Sequence, residues 1–148
     1  MISSSLEEYL KTIYILKKTE KQIRVTDISK KLNCSKPSVN RALNCLKDEG
    51  LVIYEAYKNI EITEKGMHVA KATVKRQDII NLFLTQIIDV DEEIAEKEAI
   101  AMKHAISEET VLKLENYIVK ILGLDDLKCN FDLGNNRCQN CIRIKEKL

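Results

Sequence analysis

Pro37 is the one proline in 148 residues, and it stands two places after a serine. Ser35 is a good helix N-cap and proline is tolerated in a helix only within its first turn, so Ser35-Lys36-Pro37-Ser38 marks a helix start. Val39, Ala42, Leu43 and Leu46 then recur at helical spacing and define a buried face. Just upstream, residues 26–32 read as a two-turn helix with Thr26 as its cap, broken by Asn33-Cys34. Two capped helices separated by so short a break form a helix-turn-helix, and that pair limits what the rest of the chain can be.

The flanking segments complete the pattern. Residues 4–18 carry Leu6, Tyr9, Leu10, Ile13, Tyr14 and Leu16 in a helical stripe, with Ser4 or Ser5 as the expected cap. Gly50 stops the helix that Pro37 opens, and residues 51–62 are β-prone at both ends with a polar middle, which predicts a hairpin. A long helix is expected from Thr63-Glu64-Lys65 to about Gln86, a second from Asp91-Glu92-Glu93 through Ile106, and a third from Ser107-Glu108-Glu109 to near Gly123. With four glycines, no tryptophan and 5% aromatics there is little turn chemistry or ring surface for a β-sandwich. The expected fold class is mainly α: a winged helix-turn-helix over residues 1–72, an all-helical dimerisation domain over 73–123, and a cysteine-containing tail over 124–148.

Charge separates the halves. Residues 1–75 hold 14 Lys and Arg against 9 Asp and Glu, whereas residues 76–148 hold 10 against 14, for the overall +1. No apolar run approaches a membrane span and the start lacks a signal peptide, so a cytoplasmic protein with no membrane partner is expected. Five cysteines in a reducing compartment favour free thiols or metal ligands over disulfides. There is no Gly-rich phosphate loop, no G-x-S-x-G and no HExxH, and only two histidines, so an enzyme is not expected.

In a winged helix-turn-helix the first turns of the last helix face base edges in the major groove. Ser35, Lys36, Ser38, Asn40 and Arg41, preset by Pro37, supply donors and acceptors there. Thr26 with the amides it caps could hold one phosphate and Lys58 at the hairpin tip another, contacts that set register and not sequence preference. The partner implied is double-stranded DNA. The plainer alternative is a basic helical domain whose hairpin docks a protein.

The stretches SSLEEYLKTIYIL and RVTDISKKLNCSKPSVNRALNCLKDEGLVIYEAYKNIEITEKG closely resemble the diphtheria-toxin-repressor family of metal-dependent regulators, especially its manganese-transport-regulator branch. The resemblance continues more weakly through residue 107 and the helix after it. It implies a homodimer whose winged helices bind a palindromic operator. It also implies a divalent ion that joins the first helix to the dimer domain through carboxylate and imidazole ligands. Carried over by resemblance, those ligand positions hold Glu8, Lys11, Gln77, Ile100, Lys103 and His104, of which only Glu8 and His104 are good ligands. Manganese or iron is therefore not expected there.

Two substitutes fit the residues. A lysine ammonium beside Glu8 could stand in for the ion, making the DNA-competent state independent of metal. Alternatively, Cys129 and the Cys138-Gln139-Asn140-Cys141 knuckle could hold zinc or an iron–sulfur cluster, with His104, Asp132, another Cys or an exogenous group as fourth ligand. Cys34 and Cys45 read as packing residues, His68 as a surface imidazole, and the acids from Asp89 to Glu98 as a solvated face. The run Ile79, Ile80, Leu82, Phe83, Leu84, Ile87 and Ile88 is more apolar surface than a small helical domain is expected to bury alone, which argues for a twofold partner. The expected function is a homodimeric, sequence-specific repressor that senses metal, iron–sulfur or redox status through its C-terminal cysteines. The alternative is a metal-independent DNA-binding regulator, or an interaction adaptor, with a vestigial metal site.

Overall fold

The computed structural model describes residues 2–122, together with the backbone of residues 131–132 and 137–138. The chain divides between Thr73 and Val74 into two compact units.

The first unit begins with α1 (Ser4–Thr19), whose cap is Ser3, its hydroxyl accepting from the Leu6 amide at 3.3 Å. The helix thus starts one residue earlier than Ser4 or Ser5 as caps would allow. α2 (Val25–Leu32) also starts early. Thr26 does not cap it: the chain enters extended at Arg24, and the Arg24 amide donates to Asp27 Oδ2 at 2.8 Å. A carboxylate at that position satisfies the free amide and complements the helix dipole at once, which a threonine already inside the first turn cannot do. Asn33 takes the left-handed conformation that ends α2, and α3 (Lys36–Asp48) follows with Ser35 as cap and Pro37 in its first turn. Gly50, also left-handed at φ 71°, turns the chain out of α3.

The hairpin is short. β1 (Val52–Ile53) pairs antiparallel with β2 (Glu61–Ile62), Val52 opposite Ile62 and Ile53 opposite Glu61. Its returning arm is tied to the segment before α2, because the Ile23 amide donates to Asn59 Oδ1 at 2.7 Å and the Ile60 amide to the Ile23 carbonyl at 3.0 Å. Leu10, Ile13, Ile28, Val39, Leu43, Leu46, Leu51 and Ile60 fill the core beneath. Each such side chain contributes about 1.5–3 kcal/mol when fully buried.

Thr63 accepts from the Gly66 amide at 3.0 Å and donates to the Gly50 carbonyl at 2.8 Å, so one side chain caps α4 (Glu64–Leu82) and fastens it to the end of α3. The expected helix to Gln86 is α-helical only to Leu82. Phe83–Ile87 then winds as a π-helical turn, closed by the Ile88 amide on the Phe83 carbonyl at 3.3 Å. In the second unit this wider turn lets Phe83 pack against two clusters, one of Ile79, Leu82, Val111 and Ile118, the other of Ile80, Leu84, Ala95 and Ala99. α5 (Glu92–Ala105) is capped by Asp91, and α6 (Glu108–Leu122) by Ser107, which accepts from the Thr110 amide at 3.2 Å. Beyond it, β3 (Phe131–Asp132) pairs antiparallel with β4 (Arg137–Cys138), Phe131 opposite Cys138.

The apolar run after residue 78 is covered within the chain. Ile79, Ile80, Leu82 and Leu84 are buried and Phe83 and Ile87 are packed against them, leaving Ile88 alone exposed at 52%. That run therefore does not argue for a partner, because α5 and α6 supply the missing surface. Among the described residues of this unit, the exposed large apolar side chains are Ile88, Ile94, Leu112, Tyr117 and Ile121. Among the described residues, no helix is long and apolar enough to cross a membrane.

Candidate functional site

α3 is two-faced. Val39, Ala42, Leu43 and Leu46 are buried, while Ser35, Lys36, Pro37 and Arg41 are exposed and Ser38 and Asn40 half-exposed. The cap organises the exposed side. Ser35 Oγ accepts from the Ser38 amide at 3.3 Å and lies 2.8 Å from Ser38 Oγ, which in turn accepts from Arg41 Nη2 at 3.4 Å. Ser35, Ser38 and Arg41 thus form one chain of polar groups along the first turns, with further donors turned to solvent.

Asn40 is held by a residue that sequence reasoning passed over. Tyr54, on the hairpin just after β1, donates its hydroxyl to Asn40 Oδ1 at 2.7 Å. The bond occupies the amide oxygen and leaves the amide nitrogen as the outward donor. A tyrosine in a β-prone segment carries no sequence signal for this contact, since the two residues meet only when the hairpin folds back on α3.

The turn between α2 and α3 is anchored by Ser29 Oγ donating to the Cys34 carbonyl at 2.6 Å and by Tyr9 OH donating to Cys34 Sγ at 3.6 Å. The Cys34 bond, with burial second, holds the Tyr9 phenol above its ordinary pKa of 10.0. Cys34 is packed against the core as expected of a structural cysteine, but Cys45 is exposed on α3 and is not the packing residue expected. Its place between Leu43 and Leu46 is a helical step off the buried face.

Thr26 is half-buried in the first turn of α2. Lys58 is exposed near the hairpin tip and paired with Glu55, whose carboxyl it holds below the usual range. Tyr57 beside it is fully exposed in a left-handed conformation, φ 65°.

The six positions at which the resemblance places ligands of a divalent ion are divided between the two units. In α1, Lys11 Nζ pairs with Glu8 Oε2 at 2.9 Å. In the second unit Lys103 is completely buried, and its ammonium donates to Gln77 Oε1 at 3.0 Å. Ile100 is half-buried and His104 exposed. This donor set does not fit a divalent ion: an ammonium has no lone pair while protonated, Ile100 has no donor atom, and the neutral Gln77 oxygen already accepts a hydrogen bond from the Lys103 ammonium. Among the described residues, no group of three or more His, Cys, Asp and Glu side chains is placed to hold a metal. Cys129 and Cys141 lie outside the described residues, and for Cys138 the backbone alone is described. His68 and the acids Asp89, Asp91, Glu92, Glu93, Glu96 and Glu98 are exposed.

Comparison with known proteins agrees with this geometry. The family model for the iron dependent repressor N-terminal DNA binding domain matches residues 1–60, and that for the iron dependent repressor metal binding and dimerisation domain matches residues 63–123. An HTH-type transcriptional regulator of Methanocaldococcus jannaschii is 34% identical over 120 residues, covering 80% of this chain and 96% of the relative. The HTH-type transcriptional regulator MntR of Bacillus subtilis is 30% identical over 128 residues, 86% of this chain and 89% of the relative. Among solved structures, the manganese regulator SloR superposes with a TM-score of 0.69 at 26% identity, covering 76% of this chain and 53% of that one. The chain thus spans about half the length of that structure. A protein of Sulfolobus solfataricus superposes at a TM-score of 0.65 and 26% identity, covering 80% of this chain and 91% of that one. Family members bind operator DNA, dimerise through the second domain, and are not enzymes. With its mainly helical fold, its capped helix-turn-helix and its two matched domains, the chain belongs to the diphtheria-toxin-repressor and manganese-transport-regulator family of metal-dependent DNA-binding transcriptional repressors.

Proposed function

We propose that this chain is a homodimeric, sequence-specific repressor that acts in the cytoplasm on double-stranded operator DNA. The reading is carried by the exposed polar face of α3, capped by Ser35 and opposite a fully buried apolar face. On it, Ser35, Lys36, Ser38, Asn40 and Arg41 meet base edges in the major groove, while the first turn of α2 at Thr26 and Lys58 on the hairpin meet phosphates. Phosphate contact at Lys58 exchanges the Glu55 partner, a small cost because solvent screens so exposed a pair. Duplexes selected from a random pool by the full chain should converge on a palindrome and be bound far more tightly than scrambled DNA. A pool that does not converge removes the reading and favours the adaptor alternative.

The sensing chemistry we place in the tail, where Cys129, Cys138 and Cys141, with His104 as candidate fourth ligand, hold zinc or an iron–sulfur cluster. Two observations support this. The usual positions are spoiled as an ion site, and the antiparallel register sets Cys138 opposite Phe131, two residues after Cys129. Metal analysis and a visible spectrum of protein purified without oxygen test it: zinc at one per chain or a brown chromophore is expected, and neither defeats it.

A further inference from the structure

Lys103 is the charged side chain that, among the described residues, is wholly shielded from solvent, at 0% exposure. A buried ammonium costs several kcal/mol in lost hydration unless polar partners repay it, so such a residue calls for a reason. Its partner is informative. Lys103 stands on α5 and Gln77 on α4, and the 3.0 Å bond from Nζ to Oε1 joins the two helices inside the second unit. Both residues occupy positions at which the family resemblance places ligands of a divalent ion.

We propose that Lys103 is a built-in cation that takes the ion's place where its positions on α4 and α5 meet, so that operator binding by this repressor requires no divalent metal at that place. A dissociable ion holds two helices together only when its concentration exceeds its dissociation constant. A tethered ammonium never dissociates from the chain, and the helix geometry it supports is unconditional. A dication approaching the same place meets the ammonium's charge and finds the Gln77 oxygen engaged. The reading rests on the DNA-binding function proposed above and concerns how that function is controlled.

The test uses the full chain and a duplex selected from random DNA in the presence of Mn²⁺, the condition least favourable to the proposal. Wild-type protein should bind that duplex with the same affinity, within about twofold, without added metal and in about 1 mM Mn²⁺, and should show no stoichiometric Mn²⁺ uptake by calorimetry. Lys103→Met should lose at least about tenfold in operator affinity in both buffers while melting as a folded protein. Lys103→Glu/Ile100→Glu, which places carboxylates there, should take up Mn²⁺ and bind DNA at least about tenfold more tightly with it than without added metal. Stimulation of the wild type by Mn²⁺ of about tenfold overturns the proposal and leaves the DNA-binding reading standing. A folded Lys103→Met protein with wild-type affinity overturns it as well. If Lys103→Met does not fold, the wild-type comparison decides, since it needs no variant. Absence of DNA binding in either buffer overturns both readings together.

Discussion

Gly66 shows how far one residue can depend on its surroundings. A Cβ built there would come within 2.0 Å of the Leu51 carbonyl oxygen and 2.8 Å of the Ile62 side chain, so the first turn of α4 can lie against the hairpin only without a side chain. The obstacle is backbone, which cannot rotate away. Gly66→Ala should therefore destabilise the chain by at least about 2 kcal/mol, read as a lower midpoint of urea unfolding; an unchanged midpoint would refute this packing. On α3, Arg41→Ala and Asn40→Ala should narrow the gap between operator and random DNA by about 1–3 kcal/mol, whereas Lys58→Ala should weaken both equally. Tyr54→Phe should reproduce part of the Asn40→Ala loss, because it removes only the hydroxyl that orients the amide. Fluorescence anisotropy on both DNAs checks all four, and equal losses across the set would show that α3 does not read bases.

Among the elements, caps account for most of the boundaries. Ser3, Ser35, Thr63, Asp91 and Ser107 each accept from a backbone amide at the start of a helix, and Asp27 takes the amide of Arg24. Ser35→Ala should cost about 1 kcal/mol of stability and lower operator affinity as well, since the same hydroxyl sits beside Ser38 Oγ in the chain leading to Arg41. A stability loss with unchanged DNA binding would separate the cap from the interface. The π-helical turn at Phe83–Ile87 has no such local signal. Its extra residue per turn answers to the two apolar clusters that Phe83 joins, which bring in Ala95 and Ala99 of α5 and Val111 and Ile118 of α6 from further along the chain.

For the whole molecule, charge and control matter more than any single contact. The excess of positive charge in residues 1–75 predicts steeply salt-dependent binding. If about six phosphates are neutralised, affinity should fall by about three orders of magnitude between about 50 and 200 mM salt. A nearly flat titration would argue against a phosphate-tracking interface. If the tail is the sensor, changing Cys129, Cys138 and Cys141 together to Ser should remove bound metal and shift operator affinity by about 1–3 kcal/mol, with the oligomeric state intact. Loss of metal with unchanged affinity and unchanged response to oxidant would leave the tail structural.

Local chemistry made much of this molecule legible in one dimension. The Ser35-Lys36-Pro37 start, the helical spacing of Val39, Ala42, Leu43 and Leu46, the Gly50 stop and the β-prone ends of residues 51–62 are short-range signals, and helices and turns obey them. The polar face of α3 follows from the same periodicity. Contacts between distant segments were not legible. Tyr54 reaching Asn40, Leu51 excluding a Cβ at Gly66, and the covering of Ile79 to Leu84 by α5 and α6 depend on which surfaces meet, and periodicity within one segment does not encode its neighbour. Lys103 shows the division most clearly: its sequence position marks it as a poor metal ligand, but only packing decided that the ammonium would be buried and bonded to Gln77. Burial is a property of the assembled core, where a charge persists only if the fold brings it a partner.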